Sequence, residues 1–335
     1  GSQLSPGGGR AKTEHGPPDS CGNRVKPSMM LTAIESDVLQ RFRRGERPVL
    51  TGRPQSPEDW SRYGLGVALD AGARIRAIRQ AKLSDRVRFK TDGTPYTREE
   101  EDIENDLRRS LRELVPDAAF IGEEGGGEWQ DRGLVVAMDP IDGTWAFMNH
   151  SETFATSLAV FEDGQTLLGI VFNPSTGEIA YSAGGQTARL VQLSMLGEPD
   201  VGVDLPLEQP DAALLVNVHP GRMAGALMGR MFRAWHASDV RMVKAAGGSP
   251  SWALVEAAKG CFIYVNLWAR RAADPFDLAP GVALVRDAGG DVVDLANRPI
   301  EISGHAGPFI AGIDRGHRER VVSLVSEMAA VSEEG

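Results

Sequence analysis

Apolar residues recur at helical spacing in three stretches before residue 115, then crowd into short runs of strand length from residue 118 onward. Leu31, Ile34, Val38, Leu39 and Phe42 mark a modest amphipathic helix over 31–45. A second helix opens at Ser56-Pro57-Glu58-Asp59, with an N-cap, a proline at the first helical position and early acids, and would bury Trp60, Leu65, Ala68, Ala71, Ile75 and Ile78. A third carries Ile103, Leu107, Leu111 and Leu114 behind Thr97-Arg98-Glu99-Glu100, which has the form of a capping box. Ala118–Ile121 and Leu134–Met138 are continuous apolar runs of the kind found in fully buried strands, so Asp139 is expected where a strand ends and irregular backbone begins. Phe154–Phe161, Leu167–Phe172 and Glu178–Ser182, joined by Asp-Gly and Asn-Pro turns, predict an antiparallel meander.

Residues 196–212, rich in proline and acids, predict a crossing between subdomains. Beyond it, strands near 214–218, 241–243, 261–267 and 292–295 alternate with helices near 222–235, 249–258, 277–287 and 316–330, an α/β arrangement. The chain therefore divides into a disordered tail (1–28), an N-terminal extension with a short helix (29–55), an α+β subdomain (56–198) and an α/β subdomain (199–335). The helix in the extension either packs on its own protein or meets a partner. Amphipathic faces usually meet their own core, which favours packing.

A net charge of −10, without a long basic stripe, argues against broad affinity for nucleic acid. The two cysteines, Cys21 and Cys261, lie far apart and suit a reducing compartment such as the cytoplasm. No apolar stretch approaches the roughly 20 residues that span a bilayer, and no secretory apolar core is present, so no membrane partner is expected.

The candidate chemistry is concentrated in Asp139-Pro140-Ile141-Asp142-Gly143-Thr144, which places two carboxylates, a backbone carbonyl and a hydroxyl in one turn. Hard oxygen ligands of this kind suit Mg²⁺, which prefers a few carboxylates with water and phosphate oxygens. The plain alternative is an acidic surface turn. Other segments have similar double readings. Glu100 is favoured at a helix start in any case, Glu123-Glu124 fits a solvated loop edge running into Gly125-Gly126-Gly127, and Asp277 fits the first turn of a helix. The Ala279-Pro280-Gly281 that follows Asp277 has no such helical explanation; its glycine would let a backbone approach a ligand.

Taken together, these segments resemble the inositol monophosphatase family of Mg²⁺-dependent, lithium-sensitive phosphatases. Asp139–Thr144 resembles its first signature, and Asp277-Leu278-Ala279-Pro280-Gly281 with Asp287-Ala288-Gly289-Gly290 its second. Ile121-Gly122-Glu123-Glu124 resembles its strand-end acidic pair, and Lys90 through Thr97 to Glu100 its Lys and Thr-x-x-Asp segment. The resemblance covers roughly 57–330 and implies a layered α-β-α-β-α sandwich with the site between its halves, in a cytoplasmic homodimer. It implies two or three Mg²⁺ per site and inhibition by Li⁺. Glu123, Asp139 and the Ile141 carbonyl would hold one ion, and Asp139, Asp142 and Asp277 a second, about 4 Å away. Thr144 and Glu100 would orient and deprotonate the attacking water, with Glu123 also at the catalytic centre. Asp142, Gly143, Thr144 and Asp277 would contact the substrate, the amides of Gly143 and Thr144 holding its phosphate.

Two departures from the family pattern bear on substrate and rate. Glu100 stands where Asp is usual, which displaces the carboxylate by about 1.5 Å, and Phe276 stands where Trp is usual. Asn266–Arg271 lies where members of the family contact the alcohol portion, and its Arg270 and Arg271 suit a carboxylate or second phosphate unless they are solvated loop charges. Trp145 offers an aromatic face near the mouth or a core contact. The leading expectation is a phosphomonoesterase for a small polyol, sugar, amino-alcohol or nucleotide phosphate. A catalytically weak family member acting as a regulatory or binding protein is the alternative. A structural or nucleic-acid-associated dimer is disfavoured by the acidic charge.

Overall fold

The computed structural model describes residues 29–46, 52–80, 87–89, 95–194, 199–207, 213–217, 222–237, 240–267 and 274–330. The expected tail (1–28), Cys21, Lys90, Trp268, Arg270 and Arg271 lie outside the described residues.

Helix α1 (Ala33–Arg43) begins with a full capping box between Thr32 and Glu35. It packs along α2 (Pro57–Gln80), burying Val38 and Leu39. The Ser56 hydroxyl caps α2 by accepting the Asp59 amide at 3.1 Å. A small hairpin, β1 (Val87–Phe89) and β2 (Pro95–Thr97), leads into α3 (Arg98–Leu114), whose Ile103, Leu107 and Leu111 face the core. Thr97 caps α3 by accepting the Glu100 amide, and its hydroxyl donates to the Glu100 carboxylate at 3.2 Å.

Seven strands form the larger sheet: β3 (Ala119–Gly122), β4 (Leu134–Asp142), β5 (Ala155–Glu162), β6 (Gln165–Asn173), β7 (Glu178–Ala183), β8 (Arg189–Gln192) and β9 (Val201–Asp204). They lie in chain order; β3 and β4 are parallel and every later pair is antiparallel. The meander expected from the sequence is present. Asp163 and Gly164, both at positive φ, turn β5 into β6 with Glu162 opposite Gln165, as a two-residue hairpin requires. The Asn173 side chain accepts the amides of Ser175 and Thr176 in the next turn. Strands β8 and β9 extend the meander beyond what the sequence suggested. The expected crossing at 196–212 contains β9, and the change of sheet falls within it, after Asp204.

A short helix α4 (Thr144–Met148) follows β4. The second half comprises β10 (Ala213–Asn217), α5 (Arg222–His236), β11 (Met242–Ala246), α6 (Pro250–Ala258), β12 (Ile263–Asn266), α7 (Pro275–Asp287), β13 (Asp291–Asp294), β14 (Phe309–Gly312) and α8 (Arg315–Ala330). Its five-stranded sheet has the order β11-β10-β12-β14-β13, with β11, β10 and β12 parallel and β14 and β13 antiparallel.

Strand alternation sorts the side chains into three cores. On the larger sheet, Leu168, Ile170 and Phe172 of β6 lie on the face covered by α2, with α3 against β4, while Val171 faces α6 and α7. On the smaller sheet, Tyr264 and Phe309 face α6 and α7, while Ile263, Val265 and Ile310 face α5 and α8. The result is a five-layer α-β-α-β-α sandwich, with α6 and α7 as the shared middle layer.

The extension is fastened by a buried charge. Glu35 accepts Arg189 Nε at 2.7 Å, the Tyr181 hydroxyl at 2.8 Å and the Thr32 amide at 2.6 Å. Burial alone pushes this carboxyl up, but Arg189, the Thr32 amide and Tyr181 outweigh it and hold it below its usual 4.5. Arg189→Met would leave the carboxylate buried without its cation, and breaking such a pair costs about 3 kcal/mol. Urea unfolding at pH 7 measures the loss. A depressed carboxyl stabilises fully above 4.5 and ceases to as pH falls through its lower folded value, so the gap between parent and variant should narrow in acid.

Candidate active site

In a regular strand, residues three apart face opposite sides of the sheet, so Asp139 and Asp142 would diverge. They do not, because β4 bulges between them. Against β5, Asp139 pairs with Ser157 and Asp142 with Ala155, which sets Pro140 and Ile141 opposite the single residue Thr156. Pro140 has no amide to give the ladder, and its carbonyl is taken by the Thr156 hydroxyl at 2.8 Å. The Ile141 amide turns back to Asp139 Oδ1 at 2.9 Å. Thus β4 continues through Asp142, rather than ending at Asp139 as the sequence implied.

Gly143 then takes φ 89°, where a side chain is strained, and starts α4 at Thr144. A Cβ on Gly143 would lie 2.6 Å from the Ser249 amide nitrogen, so this turn is pressed against the start of α6. Asp142 is anchored from the same place: its Oδ2 accepts the Ser249 hydroxyl at 2.5 Å and the Ser251 amide at 2.9 Å. Ser251 in turn donates its hydroxyl to the Asp277 carbonyl at 2.9 Å. The cap of α6 thereby ties the first signature to the second. Pro280 deprives the Phe276 carbonyl of its helical donor, and the Ser157 hydroxyl of β5 donates to it instead at 3.4 Å.

Asp139, Asp142 and Asp277 each contribute a carboxylate oxygen to a group lying within 4.8 Å of one another. Asp139 and Asp142 are buried and Asp277 is half-buried. Burial drives Asp139 well above its ordinary range, and the charged neighbours that add to this are all acids: Glu123, Asp142, Asp277 and Glu100. Burial likewise raises Asp142 to about 6, against the lowering effect of its bonds to Ser249 and Ser251. Glu123 follows β3 outside the three-carboxylate group, yet it ranks next after burial in its effect on Asp139. Glu100, buried in the first turn of α3, adds to the same effect on Asp139, after the other three acids. Such crowding of hard anionic donors is what a divalent cation relieves.

The sequence pattern of the inositol monophosphatase family matches residues 58–329. The chain belongs to the inositol monophosphatase family. A histidinol-phosphatase from Mycobacterium tuberculosis is 29% identical over 73% of this chain and 88% of that protein. An inositol-1-monophosphatase, ImpA, from Mycolicibacterium smegmatis is 32% identical over 67% of this chain and 77% of its own length. Among solved structures, an IMPase from Thermotoga maritima superposes with a TM-score of 0.64 at 23% identity, covering 82% of this chain and 98% of that one. The extension carrying α1 precedes the family match.

Of the expected acids, Asp139, Asp142 and Asp277 come together, with Ile141, Gly143 and Thr144 in or beside the turn that carries the first two, while Glu123 and Glu100 act on the Asp139 carboxyl electrostatically. The Thr144 hydroxyl donates to the Ile141 carbonyl at 3.2 Å, while Glu100 takes the hydroxyl of Thr97. Trp145 is 57% exposed and so is no core residue. Ser249 and Ser251 were not apparent as site residues from the sequence, because a serine before Pro250 reads simply as a helix cap.

Replacing Gly143 by alanine tests the wedge between α4 and α6. The left-handed backbone alone costs about 1–2 kcal/mol for a residue with Cβ, and the Ser249 backbone must also give way. Lower stability in denaturant, with weaker Mg²⁺ binding by calorimetry, is expected. Unchanged Mg²⁺ binding would separate this turn from the function of the carboxylate cluster.

Proposed function

We propose that this chain is a Mg²⁺-dependent phosphoric monoester hydrolase for a small polyol, sugar, amino-alcohol or nucleotide phosphate, working as a cytoplasmic homodimer without nucleic-acid or membrane partners. The observation that carries the reading is the group of three carboxylates within 4.8 Å, each on an element fixed by the fold, inside a chain of the inositol monophosphatase family. Among the described residues, no helix is long and apolar enough to cross a membrane.

Glu123, Asp139 and the Ile141 carbonyl would hold one Mg²⁺, and Asp139, Asp142 and Asp277 another, the family resemblance implying two or three per site. The donor set fits, being entirely hard oxygen and crowded with negative charge. When bound, Mg²⁺ supplies Lewis acidity toward the phosphoryl oxygens and acidifies water.

The remaining work belongs to the chain's own groups. Amides of Gly143 and Thr144, at the turn into α4, would receive the phosphate oxygens. Thr144, its proton directed to the Ile141 carbonyl, has hydroxyl lone pairs to orient a water. Glu100 would accept that water's proton, held at the helix start by its bonds with Thr97. Asp142, fixed by Ser249 and Ser251, and Asp277 would border the leaving alcohol.

A phosphate-release screen over a panel of phosphomonoesters with Mg²⁺ tests the reading. Asp139→Asn should reduce turnover to background, because the carboxylate assigned to both ions loses its charge. Li⁺ at millimolar levels should inhibit the parent. Near-normal release by a folded Asp139→Asn protein would sink the scheme, and a parent that binds phosphoesters in EDTA and still releases no phosphate when Mg²⁺ is restored would favour the binding-protein alternative.

Arg270 and Arg271 are proposed to recognise a second anionic group on the substrate, acting equally in ground and transition states. The double change to Ala should then raise KM for a bisphosphorylated substrate and leave kcat alone. Charge-assisted bonds are each worth roughly 1.5–3 kcal/mol. An unaltered KM with both mono- and bisphosphorylated substrates returns the two arginines to solvated loop charges.

A further inference from the structure

Glu104 is a charged residue with almost no solvent contact, 1% exposed, and it lies one helical turn beyond Glu100 on α3. Its partners lie mostly outside its own helix. Glu104 Oε2 accepts the Glu124 amide at 2.9 Å, and Oε1 accepts the Gly125 amide at 2.8 Å and Arg108 Nε at 2.8 Å. Arg108 extends the grip by donating to the Gly126 carbonyl at 2.8 Å and to the Phe120 carbonyl at 3.4 Å. The segment held in this way is the one that carries Glu123.

Two glycines of this segment, Gly122 and Gly125, leave room for the clasp. A Cβ on Gly122 would sit 2.4 Å from Glu104 Oε1, and one on Gly125 would sit 2.5 Å from both Glu104 Oε1 and Arg108 Nε. Gly127, at φ 121°, has a further reason, since its Cβ would meet the Phe120 carbonyl at 1.9 Å. The Gly122 amide also donates to the Gly126 carbonyl at 3.2 Å, closing the loop on itself. A stretch that reads as flexible is therefore pinned on both sides of Glu123.

We propose that Glu104 is a positioning residue for metal binding: through the amides of Glu124 and Gly125 it fixes the Glu123 carboxylate toward Asp139. The inference rests on the reading of Glu123 as a metal ligand. Because Glu100 and Glu104 are four apart on one helix, they share a face. Helix α3 therefore sets the water-activating carboxylate and the first metal ligand in one rigid relation. Glu104 touches no reacting atom, so its effect falls on Mg²⁺ affinity and not on the chemical step at saturating metal.

The test uses the full chain with Glu104→Gln, which keeps the volume but can offer only one acceptor oxygen where two amides and Arg108 converge. Gly125→Ala serves as a second variant, leaving the Glu104–Arg108 pair chemically whole while forcing the loop away from it. Three readouts are taken: Mg²⁺ affinity by calorimetry, hydrogen exchange of residues 122–127 in metal-free protein, and kcat with its Mg²⁺ half-saturation. Expected are about tenfold weaker Mg²⁺ binding, at least tenfold faster exchange confined to the loop, and kcat at saturating Mg²⁺ within about threefold of the parent, in both variants. Loss of global stability with unchanged Mg²⁺ affinity and loop exchange would make Glu104 merely structural and overturn the inference. Glu123→Gln is the control. If it leaves Mg²⁺ affinity intact, the metal-ligand reading itself fails; if it weakens binding while both other variants do not, only the role given to Glu104 is lost.

Discussion

The site depends on the parity of one strand. Pleating sends alternate side chains to opposite faces, so two aspartates with two residues between them cannot share a ligand unless a residue is added to the count. Pro140 and Ile141 together oppose Thr156 and supply that residue. Everything nearby maintains the arrangement: the Thr156 hydroxyl on the Pro140 carbonyl, the Ile141 amide on Asp139, and a glycine at φ 89° that ends the strand abruptly enough for α4 to begin. A substitution that let β4 run regularly would keep both acids and lose their convergence.

The middle layer holds the two signatures together. Helices α6 and α7 pack on the larger sheet with one face and on the smaller with the other, and Gly281 lets them approach closely, since a Cβ there would meet Leu254 at 2.5 Å. Each buried Leu, Val or Phe in this layer is worth about 1.5–3 kcal/mol, and the acids are held against the resulting rigid body. Burial without countercharge costs free energy in the metal-free protein, as the raised Asp139 and Asp142 indicate. Functional sites commonly hold this kind of local conflict within an otherwise consistent fold.

The elements legible in the sequence were those with a local cause. Asp163-Gly164 dictates its hairpin, Ser56-Pro57 starts α2, and helical periodicity located α1 and α3. Strands β8 and β9 mix polar and apolar positions over four residues, too short a span for alternation to stand out from loop sequence, and the short apolar strand β14 was likewise not legible. Asp139–Thr144 and the segment at Asp277 announced a candidate metal site through residue type and order. Ser249, Ser251 and Glu104 were hidden because each has an adequate local explanation: a helix cap, a first-turn hydroxyl, and an i,i+4 partner for Arg108. Their bonds to Asp142, Asp277 and the Glu123 loop are tertiary, and no window of sequence contains both ends.

The Ser251 link between Asp142 and Asp277 also bears on how the molecule assembles. The three clustered carboxylates come from a strand of one sheet and from a helix that exists as a packed layer only once both sheets have formed. Contacts so distant in the chain carry a larger loop-closure cost than local ones. A metal that binds this cluster therefore recognises finished architecture: an isolated half, or a collapsed chain with its layers misdocked, would present carboxylates but no common focus. A cation bound there would act as a latch on the docked form, drawing the equilibrium toward it in proportion to its affinity.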